Sequence, residues 1–398
     1  MTAVSLSQSQ SLNIPPRGFP EAEFARRLTA AQRTMKACKV DALLLTSEEN
    51  IRYFSGFLTQ FFQSPTRPWF LIVPKTGKPI AVIPTIGAVA MAQTWIEDIR
   101  TWASPHPDDD GISLLTQSLK KCVGGTGCIG LPMAAETILR MPLLDFQRLQ
   151  DDLGTVEFVD ATLIVKSLRI IKSELEIEKI AYACACVSNA FDLAAEIFHQ
   201  GQSDVEAFRA FKIECLKQGV DDVSYLVGGA GAGGYEDIIS PPSGRTLQSG
   251  DILILDTGCV FDGYFCDFDR NFAFGKSGDL ARRAYDTVYR ATQAGLEAAI
   301  PGASCAELYT AMQSVMSRAG ALDNDVGRLG HGLGMQLTEW PSHTEFDETI
   351  LEPGMVITLE PGMSFAPGKV MVHEENIVIR DGPPQLLSRR AAPDLPVI

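Results

Sequence analysis

Between Asp251 and Arg270 the chain reads DILILDTGCVFDGYFCDFDR, an apolar strand that fills with carboxylates. Asp262-Gly263 in its middle is a two-residue hairpin signal, because both central positions of a type I′ turn need positive φ. Folding about that turn sets Asp256 opposite Asp269 and Gly258 opposite Asp267. Side chains alternate across a strand, so Asp256, Asp267 and Asp269 project from one face. The pattern recurs toward the C-terminus, where Val356-Ile-Thr-Leu-Glu360 and Val370-Met-Val-His373-Glu374-Glu375 flank Pro367-Gly368. The midpoint between Glu360 and Glu375 falls at that turn, which predicts them as cross-strand partners with Cβ atoms about 5 Å apart.

Packing alone does not explain these hairpins. Buried carboxylates without cations must take up protons or remain costly. A divalent metal resolves both. His331, in Gly-Arg-Leu-Gly330-His331-Gly332-Leu-Gly334, adds an imidazole between glycines that let the backbone come close. Four carboxylates and a neutral imidazole balance two divalent cations.

Composition sets the frame around this centre. The 398 residues are 45% hydrophobic, enough for two cores rather than one. A formal charge of -15 argues against a nucleic-acid or anionic-membrane partner. No apolar run approaches the length of a membrane span. Nine cysteines form no C-x-x-C pair, which fits reduced thiols in a cytoplasmic protein. The first residues, up to Pro20, read as a short disordered lead-in.

From Glu21 a helical stripe of Phe24, Leu28, Ala31 and Met35 precedes the apolar strand Asp41-Ala-Leu-Leu-Leu-Thr46, which opens an α/β unit. Further strands are expected at residues 69–74 and 79–84, joined as a hairpin, and near residues 128–131 and 156–159. Residues 20–165 are therefore one domain and 166–398 a second. In the second, Ser173/Glu176, Ser203/Glu206 and Ser304/Glu307 have capping-box spacing. Two helices followed by strands, twice over, suggest an internal duplication.

The ordered set Asp256, Asp267, His331, Glu360, Glu375 lies within D-x-G, G-Y-x-x-D-x-x-R, G-H-G-x-G, L-E-P-G and E-E-N. This closely resembles the pita-bread metallohydrolases of the methionine aminopeptidase, aminopeptidase P, prolidase and creatinase group. The amino-terminal part, with Asn50-Ile-Arg-Tyr53-Phe-Ser-Gly56-Phe, looks like the N-terminal domain of creatinase and prolidase. The resemblance implies an α/β N-terminal domain followed by an α+β pita-bread domain. It also implies five ligands to two divalent ions (Mn, Fe, Co or Zn), with Asp267 and Glu375 bridging and Asp269 just outside the ligand set. The implied activity is hydrolysis of a C–N bond in a dipeptide or small amide-like substrate, with Glu360 or Glu375 as general base, in a homodimer. Alternatives are the small non-peptide substrates of creatinase or ectoine hydrolase, a dimethylsulfoniopropionate lyase-like reaction, and a binding module without catalysis. Such modules typically lose metal ligands, and here all five are present.

The chain departs from the peptidases of that group. Of their two accessory histidines, one falls near Ile239 by ungapped counting and the other at Thr338 here, and no histidine lies between His199 and His331. Threonine donates a hydrogen bond but does not shuttle protons near neutral pH. His373, sharing strand parity with Glu375, is a candidate proton donor, and His343 is either a second substitute or a plain loop residue. Arg245, Tyr235 and Trp340 are candidates for contacting substrate, whereas Arg270 reads as structural. The run Gly229-Ala-Gly231-Ala-Gly233-Gly234 reads as a flexible substrate loop, since Pro241 and Pro242 forbid a dinucleotide-binding helix after it. Asp108-Asp-Asp110 reads as a solvated loop or a face toward a partner's site.

Overall fold

The computed structural model describes residues 13–322 and 327–398. Of the disordered lead-in expected up to Pro20, residues 1–12 lie outside them, and the rest is held in place: Arg17 Nη1 donates to Asp221 Oδ2 at 2.8 Å and Pro16 O accepts from Lys179 Nζ. Two compact units result, residues 18–169 and residues 170–398 together with residues 13–17.

The first unit starts with the helix Glu21–Cys38, whose buried stripe includes Phe24, Leu28, Ala31 and Met35. Its six strands are β1 (Ala42–Leu45), β2 (Phe70–Pro74), β3 (Ile80–Pro84), β4 (Asp98–Trp102), β5 (Cys128–Leu131) and β6 (Glu157–Asp160). They form one mixed sheet in the order β4-β3-β2-β1-β5-β6. Strands β1 to β3 are apolar throughout and buried throughout, as central strands covered on both faces must be. Leu44, Ile72 and Val82 pack with Leu115, Leu119 and Leu149 of the covering helices Ile112–Val123 and Leu143–Leu153. The acidic run at 108–110 is a loop at the edge of this packing, with Asp108 exposed: Asp110 accepts from Trp102 Nε1 at 2.8 Å, and Asp109 accepts from Ser113 N at 3.0 Å.

The second unit repeats a helix pair and a set of strands. Helices Glu174–Asp192 and Asp204–Gln218 precede β7 (Asp222–Ala232), β8 (Asp251–Phe261), β9 (Tyr264–Phe265) and β10 (Phe268–Ala273). Helices Asp279–Ala298 and Cys305–Arg318 precede β11 (His331–Gly332), β12 (Glu339–Ser342), β13 (Val356–Leu359), β14 (Gly362–Ala366), β15 (Lys369–Val372), β16 (Glu375–Val378) and β17 (Gln385–Leu386). The first set pairs as β10-β8-β7 with β9 on β8, the second as β12-β11-β13-β16-β17 with a β14-β15 hairpin. The unit has the α+β layout that the resemblance implies. Reciprocal capping starts two of the helices: Glu206 N donates to Ser203 Oγ and Glu307 N to Ser304 Oγ, each at 3.2 Å, while the glutamates accept from the two serine amides.

The glycine run is not the loop the sequence suggested. Residues 229–232 continue β7, and a Cβ on Gly229 or Gly231 would stand 2.8 Å from Asp237 O or 2.3 Å from Gly234 O, so these glycines let the chain fold back closely on the strand. Only Gly233 and Gly234 turn the chain.

Candidate metal centre

The β8–β10 hairpin has the register read from its turn. Phe261 pairs Tyr264 and Val260 pairs Phe265 about Asp262 and Gly263, both at positive φ, and Asp256 pairs Asp269. Asp256, Asp267 and Asp269 thus share a face. Asn376 in β16 clasps Asp267 from behind: its Oδ1 accepts from Asp267 N at 2.9 Å and its Nδ2 donates to Asp267 O.

The second hairpin corrects the sequence reading by one residue. Ala366 pairs Lys369 across Pro367-Gly368 as expected, but Phe365 bulges out, and the register then runs Ser364 with Val370 and Leu359 with Glu375. A one-residue slip sends every side chain to the other face. Glu374, not Glu375, therefore faces Glu360 and the acids of β8. Ligand oxygens of Asp256, Asp267 and Glu374 lie within 4.8 Å of one another. Glu375 points into the interior instead, where Oε2 accepts from Arg270 Nη2 at 3.0 Å and from Ser388 Oγ, and Oε1 accepts from Ala391 N at 2.9 Å. His373 travels with it. His373 is 1% exposed, with Nδ1 2.8 Å from Thr292 Oγ1 in the helix Asp279–Ala298, and cannot reach substrate.

His331 closes the other side. Its Nε2 lies 3.0 Å from Glu360 Oε1 and 3.5 Å from Asp267 Oδ2. Nδ1 donates to Gly332 O at 2.8 Å, which leaves the Nε2 lone pair directed inward. The flanking glycines are steric necessities. A Cβ on Gly332 would lie 1.9 Å from Trp340 O, and one on Gly330 2.4 Å from Thr358 O. Thr358 ties the two ligand segments, accepting from His331 N at 2.9 Å and donating to Glu360 Oε1.

The residues fit a cationic group. Asp256 Oδ1, Glu374 Oε1 and both Asp269 oxygens are buried without a hydrogen-bond partner among the described residues. Burial, then the mutual repulsion of the acids, pushes Asp256 and Glu374 well above the usual carboxylate range. Burial likewise raises Asp267 to about 6 and Asp269 to about 8. At Glu360 burial is outweighed by the His331 charge, which holds it at about 2, while Glu360 and Asp267 overcome burial to lift His331 to about 10. Such a set is frustrated until positive charge enters.

A pH dependence follows for the metal-free protein. A group with a raised folded pKa keeps its proton after the unfolded chain has lost it, so its contribution to stability falls as pH rises between the two values. Asp269 (3.8 to about 8) and His331 (6.5 to about 10) both act in that sense from pH 6.5 to 8. The buried His343 and His373, lowered chiefly by desolvation, are neutral when folded but half protonated near pH 6.5 when unfolded, so they oppose the fall at the bottom of that window and drop out toward pH 8. The melting temperature of metal-free protein is therefore expected to fall across pH 6.5–8, each group contributing about 1.4 kcal/mol per pH unit. Added divalent metal should flatten the slope; a metal-free melting temperature rising over that window would contradict the charge arrangement.

The other candidates are dispersed. Arg245 pairs with Asp251 at 2.5 Å, five residues and roughly 17 Å along β8 from Asp256. Tyr235 is 2% exposed, donating to Asn271 Oδ1 at 2.7 Å and accepting from Val372 N at 3.0 Å. Trp340 sits in the core of the second unit. His343 is fully buried against Gly330, its ring nitrogens without hydrogen-bond partners among the described residues, and burial lowers it to about 4. Arg270 holds Glu375 and the carbonyl of Glu374. Thr338 is half-buried and accepts from Arg328 Nη2 at 3.3 Å. Sequence reasoning missed both Glu374 and Arg328. Glu374 was hidden by the bulge, and Arg328 stood as an unassigned letter three places before His331.

The profile of metallopeptidase family M24 matches residues 178–381, and that of the creatinase/prolidase N-terminal domain matches residues 27–171. A probable dipeptidase PepE of Mycobacterium tuberculosis is 28% identical over 365 residues, spanning 91% of this chain and 93% of that one. An Xaa-Pro dipeptidase of Pyrococcus furiosus is 25% identical over 371 residues, spanning 90% and 97%. The crystal structure of dipeptidase PepE from Mycobacterium ulcerans aligns with a TM-score of 0.83 at 25% identity, over 96% of this chain and 99% of that one.

Proposed function

The chain belongs to metallopeptidase family M24 and is a metal-dependent hydrolase; we propose that it cleaves dipeptides at a centre of two divalent ions held by Asp256, Asp267, His331, Glu360 and Glu374. The observation that carries this reading is the convergence of Asp256, Asp267 and Glu374, with unpartnered oxygens, beside the His331–Glu360 pair. The names of similar dipeptidases support the substrate class.

When bound, the ions supply Lewis acidity at the scissile carbonyl. An oxygen-rich set with one imidazole suits Mn, Fe, Co or Zn. Glu360 is the carboxylate that meets the substrate side, with its side chain 22% exposed. Thr358 donates to Oε1 and so steadies the Glu360 carboxylate, which would hold metal and take the proton from the attacking water, passing it toward the leaving nitrogen. Asn376 fixes Asp267, and Arg270 fixes the Glu374 carbonyl.

A second reading, hydrolysis of a small amide or cyclic amidine, is favoured by the missing histidines. Thr338 stands at one accessory position, and Ile239, 74% exposed, at the other. Losing one donor to the tetrahedral intermediate typically costs about 10²–10³ in rate. Peptide bonds to proline are therefore expected to be cleaved with kcat/KM below about 10⁴ M⁻¹s⁻¹. The test is metal analysis of the purified protein, then Mn-supplemented assays of Xaa-Pro dipeptides, other dipeptides and small amides. No bound metal, or no dipeptide cleaved, would remove the first reading; efficient Xaa-Pro cleavage would remove the argument from the histidines. All nine cysteines are free, which supports a reducing, cytoplasmic setting. No helix among the described residues is long and apolar enough to cross a membrane. The separate N-terminal unit supports a homodimer, measurable by light scattering on the same preparation.

A further inference from the structure

Asp269 lies opposite Asp256 in the register of β8 and β10, on the same face as the acids of the centre. It is 1% exposed, and neither of its carboxylate oxygens has a hydrogen-bond partner among the described residues. The amide of Glu374 approaches it without reaching hydrogen-bond geometry, which sets Asp269 beside both Asp256 and Glu374. Arg270 does not serve it. Its Nη1 donates to the Asp269 carbonyl rather than to the carboxylate, and its Nη2 goes to Glu375.

A buried carboxylate without a partner is costly, and a cation placed against it removes the cost. The two halves of the centre differ in what they offer. Glu360 and Asp267 flank His331, at 3.0 and 3.5 Å from its Nε2, whereas Asp256, Asp267 and Glu374 bring carboxylate oxygens within 4.8 Å of one another. One ion belongs with the imidazole and the other with carboxylates alone. Asp269 stands with the second group, where its charge adds to the repulsion at Asp256 and Glu374. The charge count agrees: five carboxylates exceed two divalent ions by one, and Arg328, whose positive charge acts on Asp267 and Glu360, supplies the remainder.

We propose that Asp269 is a direct ligand of the ion at Asp256 and makes that position an all-carboxylate site, selective for Mn²⁺ against Zn²⁺. The inference rests on the two-ion reading above. Oxygen ligands in octahedral number suit Mn²⁺, whereas Zn²⁺ is satisfied by a tetrahedral set and gains least from a further carboxylate. The charge of Asp269 falls on one ion only, so it does not stand in for the bridge at Asp267.

The experiment titrates metal-free wild type, Asp269→Asn and Asp269→Glu with Mn²⁺ and with Zn²⁺ by calorimetry, and reads the oxygen shell of bound Mn²⁺ by X-ray absorption. Asparagine keeps the size of the side chain and removes a buried acid, so the fold holds, and melts of the metal-free proteins verify it. In Asp269→Asn one of the Mn²⁺ ions should bind at least about 10-fold more weakly, Zn²⁺ should lose clearly less, and the oxygen count around Mn²⁺ should fall. Asp269→Glu should recover part of the Mn²⁺ affinity. Unchanged Mn²⁺ binding in folded Asp269→Asn overturns the proposal. So does equal weakening of both metals with the oxygen shell intact, the behaviour of a residue that acts only by holding Glu374 in place. Wild type without metal overturns both readings; wild type with a single ion removes the two-ion reading, and the response of that ion to Asp269→Asn still decides whether Asp269 is a ligand.

Discussion

Glu374→Gln is expected to abolish hydrolysis and metal retention, while its neighbour Glu375→Gln keeps its metal and loses stability. The two side chains differ by one residue and face opposite ways. Glu374 carries an unpartnered oxygen toward Asp256 and Asp267. Removing its charge removes a ligand, and Lewis-acid stabilisation worth several kcal/mol corresponds to a loss of about 10³-fold or more in kcat/KM. Glu375 instead neutralises Arg270 in the interior and lies 3.6 Å from Arg390 Nη1. Taking one partner from a buried pair costs roughly 3–5 kcal/mol, a drop of about 10 °C in melting temperature for a unit of this size. Metal content by mass spectrometry and thermal melts on both variants check this. Metal lost from Glu375→Gln and kept in Glu374→Gln would restore the unbulged register.

The contrast between the two hairpins explains what a sequence discloses. In the first, Asp262-Gly263 both makes the turn and fixes the register, since no bulge intervenes before Asp256 meets Asp269. Three acids on one face were legible from alternation alone. In the second, Pro367-Gly368 marked the turn correctly, but the bulge at Phe365 is a tertiary event: nothing in Gly-Met-Ser-Phe-Ala announces which residue will leave the ladder. With tandem glutamates at 374 and 375, either parity offers an acid, so composition does not correct the error. The same slip carried His373 from the site into the core. The three capping boxes were readable because their signal is local. Tyr235 and Trp340 were not, because an aromatic ring serves a pocket wall or a core equally well. Arg328 escaped notice because its link to Thr338 is a tertiary contact that only coordinates disclose.

Asp267→Asn is expected to lose both ions at once rather than one. Asp267 sits between the halves of the centre, with Oδ2 3.5 Å from His331 Nε2 on one side and the carboxylates of Asp256 and Glu374 on the other. A carboxylate so placed is shared, and a neutral amide in its position leaves two cations facing each other with one negative charge too few. The fold should survive. Asparagine keeps the size of the side chain and the backbone clasp to Asn376, and it removes a buried acid that the metal-free protein tolerates poorly. Metal-free Asp267→Asn is therefore expected to melt at or above the temperature of metal-free wild type. The rise on adding Mn, about 2.7 kcal/mol when metal is at 100 times its Kd, should vanish. Metal counting and melting then separate two accounts of the same inactive variant. A misfolded protein melts early with or without metal, whereas an intact scaffold without its bridge melts late and ignores the metal. One ion retained per chain, with a residual Mn-dependent rise, would mean that Asp267 serves a single ion, and the two-ion centre would have to be built around Glu374 alone.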